Sequence, residues 1–275
     1  MHDLLPPSDD GFPADDVGEW SRDKHHFLWR YLDAFTTAMK KKKWSGLHYV
    51  DLFAGSGVVK LRDSKKLDWG SPLLAAQAPH PFDCLHLCEL DDRKYSDLSE
   101  RIARLKPASE VQLLLGDAND RVQDVVQALP KNSLSLAFLD PYGLHLDFST
   151  LRALAKRRVD LIIFFPDYLD ALRNSEGVYR VDPNSNLDKV LGKGVDWRTV
   201  KDHCSKDAWA EELTKLYVGQ IQSLGYSQFE YERISGRGRR FYRLIFCSHS
   251  TTGATIWRNV AKKRHDGQYT FGYGG

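Results

Sequence analysis

The sequence predicts an α/β domain with a mostly parallel sheet of seven strands and helices on both faces. Short apolar runs alternate with segments of helical periodicity from Leu47 to Phe165. These runs are continuously apolar, which is typical of parallel strands buried on both faces. After them come a helix and two apolar runs joined by a polar link, which predict a terminal hairpin whose last strand is antiparallel.

The first segment, 1–22, is acidic and interrupted by prolines, and we expect it to be a flexible leader. Residues 23–275 are expected to form a single domain. It starts with an amphipathic helix over 23–43 that ends in four lysines, Lys40 to Lys43.

The elements after this helix follow in regular order. Strands are predicted at 47–53, 84–89, 111–115, 134–139, 159–165, 228–234 and 241–247. Helices are predicted at 71–78, 93–105, 120–129, 148–156, 208–224 and 254–263, the first with Ser71 as N-cap before Pro72. A polar insertion at about 173–206 shows no clear element, and we expect it to run over the surface, where it is a candidate lid.

Composition narrows the function class. The chain has 275 residues, 42% hydrophobic and 28% charged, with a net charge of +2, so no global field draws it to nucleic acid or a membrane. No apolar run reaches the ~18 residues of a membrane-spanning helix. The four cysteines form no C-x-x-C pair, so we expect reduced core thiols, no metal site and a cytoplasmic protein.

The first strand ends in a loop that is almost bare of side chains. In YVDLFAGSGVVKL, an apolar run stops at Asp51 and continues into Gly55 and Gly57. Ligands of doubly wound sheets bind beyond the carboxyl ends of the strands, and glycine lets the backbone approach them closely. We therefore predict a cofactor site here, and the residues assigned to it are Asp51, Phe53, Ala54, Gly55, Gly57 and Ser71.

Two more acids stand at strand ends. Glu89 ends the second strand, and Asp117 follows the third, with Ala118 next to it. The three acids suit S-adenosylmethionine (SAM), with Asp51 at the ammonium group, Glu89 at the ribose hydroxyls and Asp117 at the adenine amine. This is the layout of a Rossmann-like class I methyltransferase, whereas dinucleotide dehydrogenases normally close with a parallel sixth strand.

Each of these acids also has a purely structural role open to it. Asp51 alternatively caps a turn, Glu89 is a solvated strand end, and Asp117 is a turn or cap residue. An NAD enzyme is a competitor, although Lys60 replaces the third glycine of its usual fingerprint. The insert VVKLRDSKKLDW before Ser71 also departs from common methyltransferases.

A second motif, LAFLDPYG, ends the fourth strand. Asp140 and the carbonyl of Pro141 are predicted to accept hydrogen bonds from an exocyclic amine, and Tyr142 to stack on the base that carries it. The motif resembles the Asp-Pro-Phe-Gly of tRNA guanine-N2 methyltransferases. The alternative is a tight turn, for which Asp-Pro-x-Gly is a good sequence.

With both motifs in view, the chain resembles the three-Cys-motif partner (TcmP) family, which is similar to class I SAM-dependent methyltransferases. The resemblance is carried by five segments: YVDLFAGSG, GSP at 70–72, LDPYG, VDLIIFFP and FYRLIFCSHSTTGATIW. It implies the same fold, SAM as cofactor and a partner protein with a three-cysteine motif.

The substrate is predicted to be nucleic acid, RNA or DNA. The loop SGRGRR follows the sixth strand on the cofactor rim, so Arg237, Arg239 and Arg240 are candidate phosphate contacts. Lys40 to Lys43 and AKKR at 261–264 are expected to add to them, and Tyr168, Trp197 and Trp209 are candidate stacking residues. The sequence thus favours a methyltransferase acting on a base amine. The alternatives are a SAM-binding subunit without its own activity and a small-molecule methyltransferase.

Overall fold

The computed structural model of the chain describes residues 4–166, 177–205, 208–235 and 241–262. The strands are β1 (Asp15–Val17), β2 (Leu47–Asp51), β3 (Val58–Leu61), β4 (Leu67–Trp69), β5 (Cys84–Glu89), β6 (Glu110–Leu115), β7 (Leu134–Leu139), β8 (Val159–Phe165), β9 (Gln228–Ser235) and β10 (Phe241–Ser248). The helices are α1 (Ser21–Met39), α2 (Ser71–Ala76), α3 (Asp92–Leu105), α4 (Ala118–Ala128), α5 (Phe148–Leu154), α6 (Val178–Val181), α7 (Asn186–Leu191), α8 (Trp197–His203), α9 (Trp209–Gln222) and α10 (Thr251–Val260).

Seven strands form the central sheet in the order β6-β5-β2-β7-β8-β10-β9. Strands β6, β5, β2, β7 and β8 are parallel, and β10 pairs antiparallel with both β8 and β9. Strand β9 therefore runs in the same direction as the first five. This topology confirms the predicted Rossmann-like methyltransferase sheet, including its antiparallel terminal strand.

Helices cover both faces of this sheet because its strands are apolar on both sides. The side chains of adjacent residues of β2 pack into two different hydrophobic clusters, one on each face of the sheet. Val50 packs in the cluster that contains Val122 of α4 and Leu151 of α5. Tyr49 packs in the cluster that contains Phe27 of α1 and Trp257 of α10. None of the described helices is both long and apolar enough to cross a membrane.

The amino-terminal segment differs from the expected flexible leader. Strand β1 pairs in parallel with β3, and α1 begins at Ser21, within the predicted leader. Asp10 forms a salt bridge with the buried guanidinium of Arg101, 2.7 Å from Nε to Oδ2. Acidic residues suggested a solvated leader, but Asp10 and Asp15 form salt bridges with residues of α3.

The insert between the glycine loop and α2 forms a hairpin of β3 and β4, which joins β1 in a three-stranded sheet. The hairpin closes on itself, since Gly70 N–H donates to Gly57 O at 2.8 Å. A Cβ at position 70 would lie 2.9 Å from that oxygen, so glycine is required there. The hairpin thus brings the start of α2 next to the glycine loop.

The polar insertion also contains more structure than the sequence suggested. Its described part folds into α6, α7 and α8, and Leu187, Leu191 and Trp197 are fully buried. Asp188 is the anchor of this region, because it accepts hydrogen bonds from Trp197 Nε1 and from Arg198. Short helices with few apolar positions give little periodicity, which explains why the sequence pattern missed them.

Candidate functional site

The carboxyl ends of the parallel strands form one rim, and hydrogen bonds hold its loops side by side. Ala54 N–H donates to Cys88 O at 2.9 Å, and Gly116 N–H donates to Glu89 O at 2.9 Å. The Cys88 side chain consequently lies within electrostatic range of Asp51, Glu89 and Asp117. The three predicted cofactor acids therefore lie on the same rim, in the neighbourhood of Cys88.

Asp51 is fully buried at the end of β2. Its carboxyl group accepts hydrogen bonds from Phe53 N–H at 3.2 Å and from the Tyr49 hydroxyl at 3.3 Å, and the nearby Ser71 hydroxyl lowers its pKa. Burial raises the pKa of Asp51 to about 7, and the nearby charge of Asp140 acts in the same direction. Because no cation is paired with this buried carboxyl group among the described residues, a bound cation would strongly favour its ionised form.

Ser71 lies near Asp51, in the first turn of α2. The structure corrects the prediction that Ser71 is the N-cap, since Gly70 has the extended cap conformation and Ser71 is the first helical residue. The buried Ser71 side chain thereby connects two segments that the hairpin insert separates in sequence.

Glu89 holds the glycine loop in shape. Its Oε2 accepts from Gly55 N–H at 2.7 Å, and its Oε1 accepts from Asp91 N–H at 2.9 Å. Gly55 has φ +64°, and a Cβ there would lie 2.9 Å from Asp15 Oδ2. Glu89 is only 9% exposed, so it is not a solvated strand end; Asp91 instead caps α3.

Asp15 belongs to this site, although no sequence pattern indicated it. Its carboxylate accepts from Ser56 N–H at 2.9 Å and pairs with Lys94 at 2.7 Å. Arg101 binds the Ser56 carbonyl at 2.7 Å and also the carbonyls of Phe12 and Pro13. The amino-terminal segment therefore lies directly over the glycine loop.

Asp117 is exposed and caps α4, accepting from Asn119 N–H at 2.7 Å. The capping role is the alternative raised from the sequence, and contact with adenine stays a prediction. Ala118 is buried at the start of the helix. The Asn119 side chain accepts from Asp147 N–H and the Thr150 hydroxyl, and so ties α4 to the loop before α5.

Asp140 follows β7 and forms a salt bridge with Lys24 of α1. Lys24 is buried, and its ammonium group also lies 4.7 Å from the centre of the Phe164 ring. Lys24 falls on the predicted first helix, but its contact could not be predicted, because 116 positions separate it from Asp140. A lysine near the start of an amphipathic helix was the one available signal.

Pro141 and Tyr142 differ sharply in exposure. Pro141 is buried, whereas the Tyr142 side chain is 93% exposed, the highest value among the exposed large hydrophobic residues of the described chain. An aromatic ring exposed to water forgoes the free energy that its burial would contribute to stability. Tyr142 thus offers a free aromatic face beside Asp140.

Stacked rings flank the salt bridge on its other side. Phe164 stacks on Tyr242 with centroids 4.9 Å apart, and Tyr242 stacks on Trp20 at 5.5 Å. The Lys24 ammonium on Phe164 joins this stack to Asp140. The rim above β7 and β8 therefore combines an acid, a cation and several aromatic faces.

The structure corrects two predictions about the substrate surface. Trp197 and Trp209 are both 0% exposed and belong to the core, so neither can stack on a base. The lysines that follow α1 lie at the opposite rim, since Lys40 Nζ is 3.0 Å from His80, ahead of the start of β5. The other candidate substrate contacts lie outside the described residues: Arg237, Arg239, Arg240, Tyr168, Lys263 and Arg264.

Solved structures resemble this chain in fold. A protein from Legionella pneumophila, described as family model DUF519, has a TM-score of 0.55 and 13% identity, with 92% of this chain and 96% of that chain covered. An O-methyltransferase, TomG from Streptomyces achromogenes in complex with SAM, has a TM-score of 0.48 and 14% identity over 82% and 80%. An O-methyltransferase from Bacillus cereus in complex with SAH has a TM-score of 0.48 and 12% identity over 86% and 84%.

No protein-family model and no curated protein matches the chain. The likeness to solved structures is one of fold, and it agrees with the strand order, which is that of a class I methyltransferase.

Proposed function

We propose that this protein is a SAM-dependent methyltransferase that acts on an exocyclic amine of a nucleic-acid base. One observation carries the proposal. The cofactor acids and the Asp140–Pro141–Tyr142 motif end adjacent strands of one rim, close enough for Asp51 and Asp140 to interact electrostatically. The strand order of the sheet, with its antiparallel terminal strand, supports this choice of cofactor over a dinucleotide.

The cofactor half of the rim suits each part of SAM. Asp51 would bind the ammonium group, whose positive charge compensates the buried carboxylate. Glu89 would accept from the ribose hydroxyls, and exposed Asp117 from the adenine amine. The bare backbone at Gly55 and Gly57 would let the methionyl moiety approach. When bound, SAM supplies an electrophilic methyl group on a sulfonium.

The other half would present the nucleophile. Methyl transfer to the amine nitrogen would leave a neutral thioether and a cationic methylated amine, which would lose a proton to solvent. Asp140 and the Pro141 carbonyl would hold the amine hydrogens, and the Asp140 carboxylate would stabilise the developing positive charge. Tyr142 would stack on the base.

Nucleic acid is the proposed substrate class because a base has both an amine and a stacking face. Arg237, Arg239 and Arg240 would contact phosphates, since they follow β9 in sequence and β9 runs parallel to the first five strands, so that it ends at this rim. Binding would then weaken steeply as salt rises, unlike binding of a small uncharged substrate.

A second candidate is a SAM-binding subunit that needs a partner. The salt bridge between Lys24 and Asp140 favours it, since the acid proposed to hold the amine is already engaged. The resemblance to the three-Cys-motif partner family would give such a subunit a partner with that motif.

Two measurements test the proposal. Calorimetric titration is expected to show binding of SAM and SAH and no binding of NAD. Binding of NAD without binding of SAM would refute the proposal that SAM is the cofactor. Radiolabelled methyl transfer from SAM to cellular RNA and to DNA is then expected for the parent protein. SAM binding with no transfer to either would favour the partner-dependent subunit.

A further inference from the structure

The opposite rim of the sheet carries a group of side chains that the methyltransferase proposal does not use. His48 lies on β2 directly opposite Cys84 on β5, and His86 follows two residues after Cys84. Register partners in a parallel sheet point to the same face, as do residues two apart in a strand. All three side chains therefore project from one face, near the amino ends of β2 and β5.

The three side chains converge on one point in the interior. One donor atom from each lies within 4.8 Å of the other two, and His48 Nδ1 is 3.1 Å from His86 Nε2. Their exposures are 7%, 5% and 1% in chain order. Cysteine spacing predicted no metal site because it compares cysteines only with each other, whereas Cys84 meets a histidine from a neighbouring strand.

Polar groups surround this cluster in the way that supports metal ligands. Glu110, the register partner of Cys84 on β6, interacts electrostatically with all three residues. Gln112 stands opposite His86 on β6, and its Nε2 donates to Glu110 Oε1 at 3.4 Å. The second nitrogen of His48 faces Gly46, next to the carboxylate of Asp83.

We propose that His48, Cys84 and His86 form a structural metal site for a zinc-class ion, and that the exposed Glu110 side chain turns towards them to supply the fourth ligand. Two imidazoles, a thiolate and a carboxylate are donors that Zn²⁺ binds in tetrahedral sites. One divalent ion with a thiolate and a carboxylate is neutral overall, which keeps the electrostatic cost of burial low. Asp83 acts electrostatically on His48, and Gln112 donates to Glu110, so both are candidate outer partners of the site.

Such an ion would cross-link β2 and β5 at their starts. Asp51 lies three positions after His48, about 10 Å along a strand, so the ion would not touch the reacting groups. It would stabilise the strand pair that positions Asp51 and Glu89, and its loss would lower stability before it changed chemistry. The proposal stands or fails independently of the methyltransferase assignment.

Cobalt is the probe that tests the site in the full-length protein. Chelator-treated protein titrated with Co²⁺ is expected to bind one ion per chain. It should show a near-ultraviolet thiolate-to-cobalt charge-transfer band and the strong visible bands of tetrahedral cobalt. Zn²⁺ should displace the cobalt and raise the melting temperature.

Variants identify the ligands. Cys84→Ser is expected to remove the charge-transfer band, and Glu110→Gln to weaken Zn²⁺ binding by about 10–100-fold. Cys88→Ser is the matched control, because Cys88 is buried on the same strand but contacts Gly116 O instead of the imidazoles. Its spectrum should equal that of the parent.

Clear results overturn the assignment, and the parent protein alone suffices if Cys84→Ser fails to fold. The site is refuted if parent protein gives only the weak spectrum of octahedral cobalt, or retains far less than one zinc after gel filtration. A charge-transfer band that survives in folded Cys84→Ser, or disappears in Cys88→Ser, also refutes it. Stoichiometric copper in place of zinc would overturn the choice of ion.

Discussion

The two halves of the carboxyl rim are built differently. Above β2, β5 and β6, polar side chains bind the protein itself: Glu89 holds Gly55, and Asp15 holds Ser56. Above β7 and β8, the Tyr142 ring is 93% exposed, and the Asp140 carboxylate reaches across to another element, α1, for its partner.

This difference separates two tasks of one site. We call the part of the rim above β2, β5 and β6 the closed half, and the part above β7 and β8 the open half. The closed half is preorganised by its own hydrogen bonds, so little ordering is needed when a ligand binds. The open half exposes an aromatic face and an ion pair whose environment a substrate would change. We therefore expect variants of the closed half to alter cofactor affinity, and variants of the open half to alter turnover.

Replacement of Asp140 should have the largest effect. Asp140→Asn keeps the shape but removes the charge proposed to stabilise the developing cation, so methyl transfer should fall about 10²–10³-fold. The Kd for SAM should change less than about threefold, because Asp140 belongs to the open half. Initial rates with labelled SAM, alongside calorimetry, measure both.

Asp147→Asn is the matched control for that variant, since Asp147 is a half-buried acid in the loop that follows the same motif. It should leave the rate within a fewfold of the parent. A full loss of SAM binding in Asp140→Asn would show that the two halves are not separate.

Replacement of Lys24 comes next. Lys24→Met removes the cation that holds the Asp140 carboxylate in place, and transfer should fall about 10–100-fold with SAM affinity unchanged. Arg22→Met, on the same helix and half-buried, is the control. An increase in transfer would instead identify the ion pair as a block, and would favour the partner-dependent subunit.

The pH dependence of SAM binding tests the closed half. The pKa of Asp51 is raised to about 7, so the carboxyl is mostly protonated at pH 6 and mostly ionised at pH 8. Because the ammonium group needs the ionised form, the Kd should fall about tenfold over this range, with a proton released on binding. Calorimetry in buffers of different ionisation enthalpy measures the proton, and Asp51→Asn should bind weakly without this dependence.

The central sheet was predictable from the sequence because burial on both faces makes its strands continuously apolar. The bounds of β5, β7 and β8 agree with the prediction. Strands β1, β3 and β4 were missed, since they are three or four residues long and their pairing depends on distant partners. Periodicity carries no information about such tertiary pairing.

The candidate site divides in the same way. Its acids could be located because strand ends meet at one rim whatever the loops do. Lys24, Asp15 and the link between Ser71 and Asp51 could not, because each depends on how a helix, a leader or an insert packs onto the sheet. The buried histidines needed the register of β2 against β5.

The amino-terminal segment provides the smallest test of the closed half. Asp10 accepts from Arg101 Nε at 2.7 Å and from its Nη2 at 3.0 Å, and the Arg101 hydrogen bonds hold the pKa of Asp10 below its ordinary value. Asp10→Asn leaves the buried guanidinium without its counterion, so unfolding free energy should drop by about 1–2 kcal/mol.

The lowered pKa of Asp10 fixes the sign of its pH dependence. Its contribution is present above the pKa of the unfolded chain, near 3.8, and is lost as pH falls through the folded value. Urea unfolding of Asp10→Asn and of Asp9→Asn, an exposed neighbour that accepts from Gly11 N–H, should differ at pH 7 and converge as pH falls below the lowered pKa of Asp10. Equal stability at pH 7 would show that this segment is not part of the closed half.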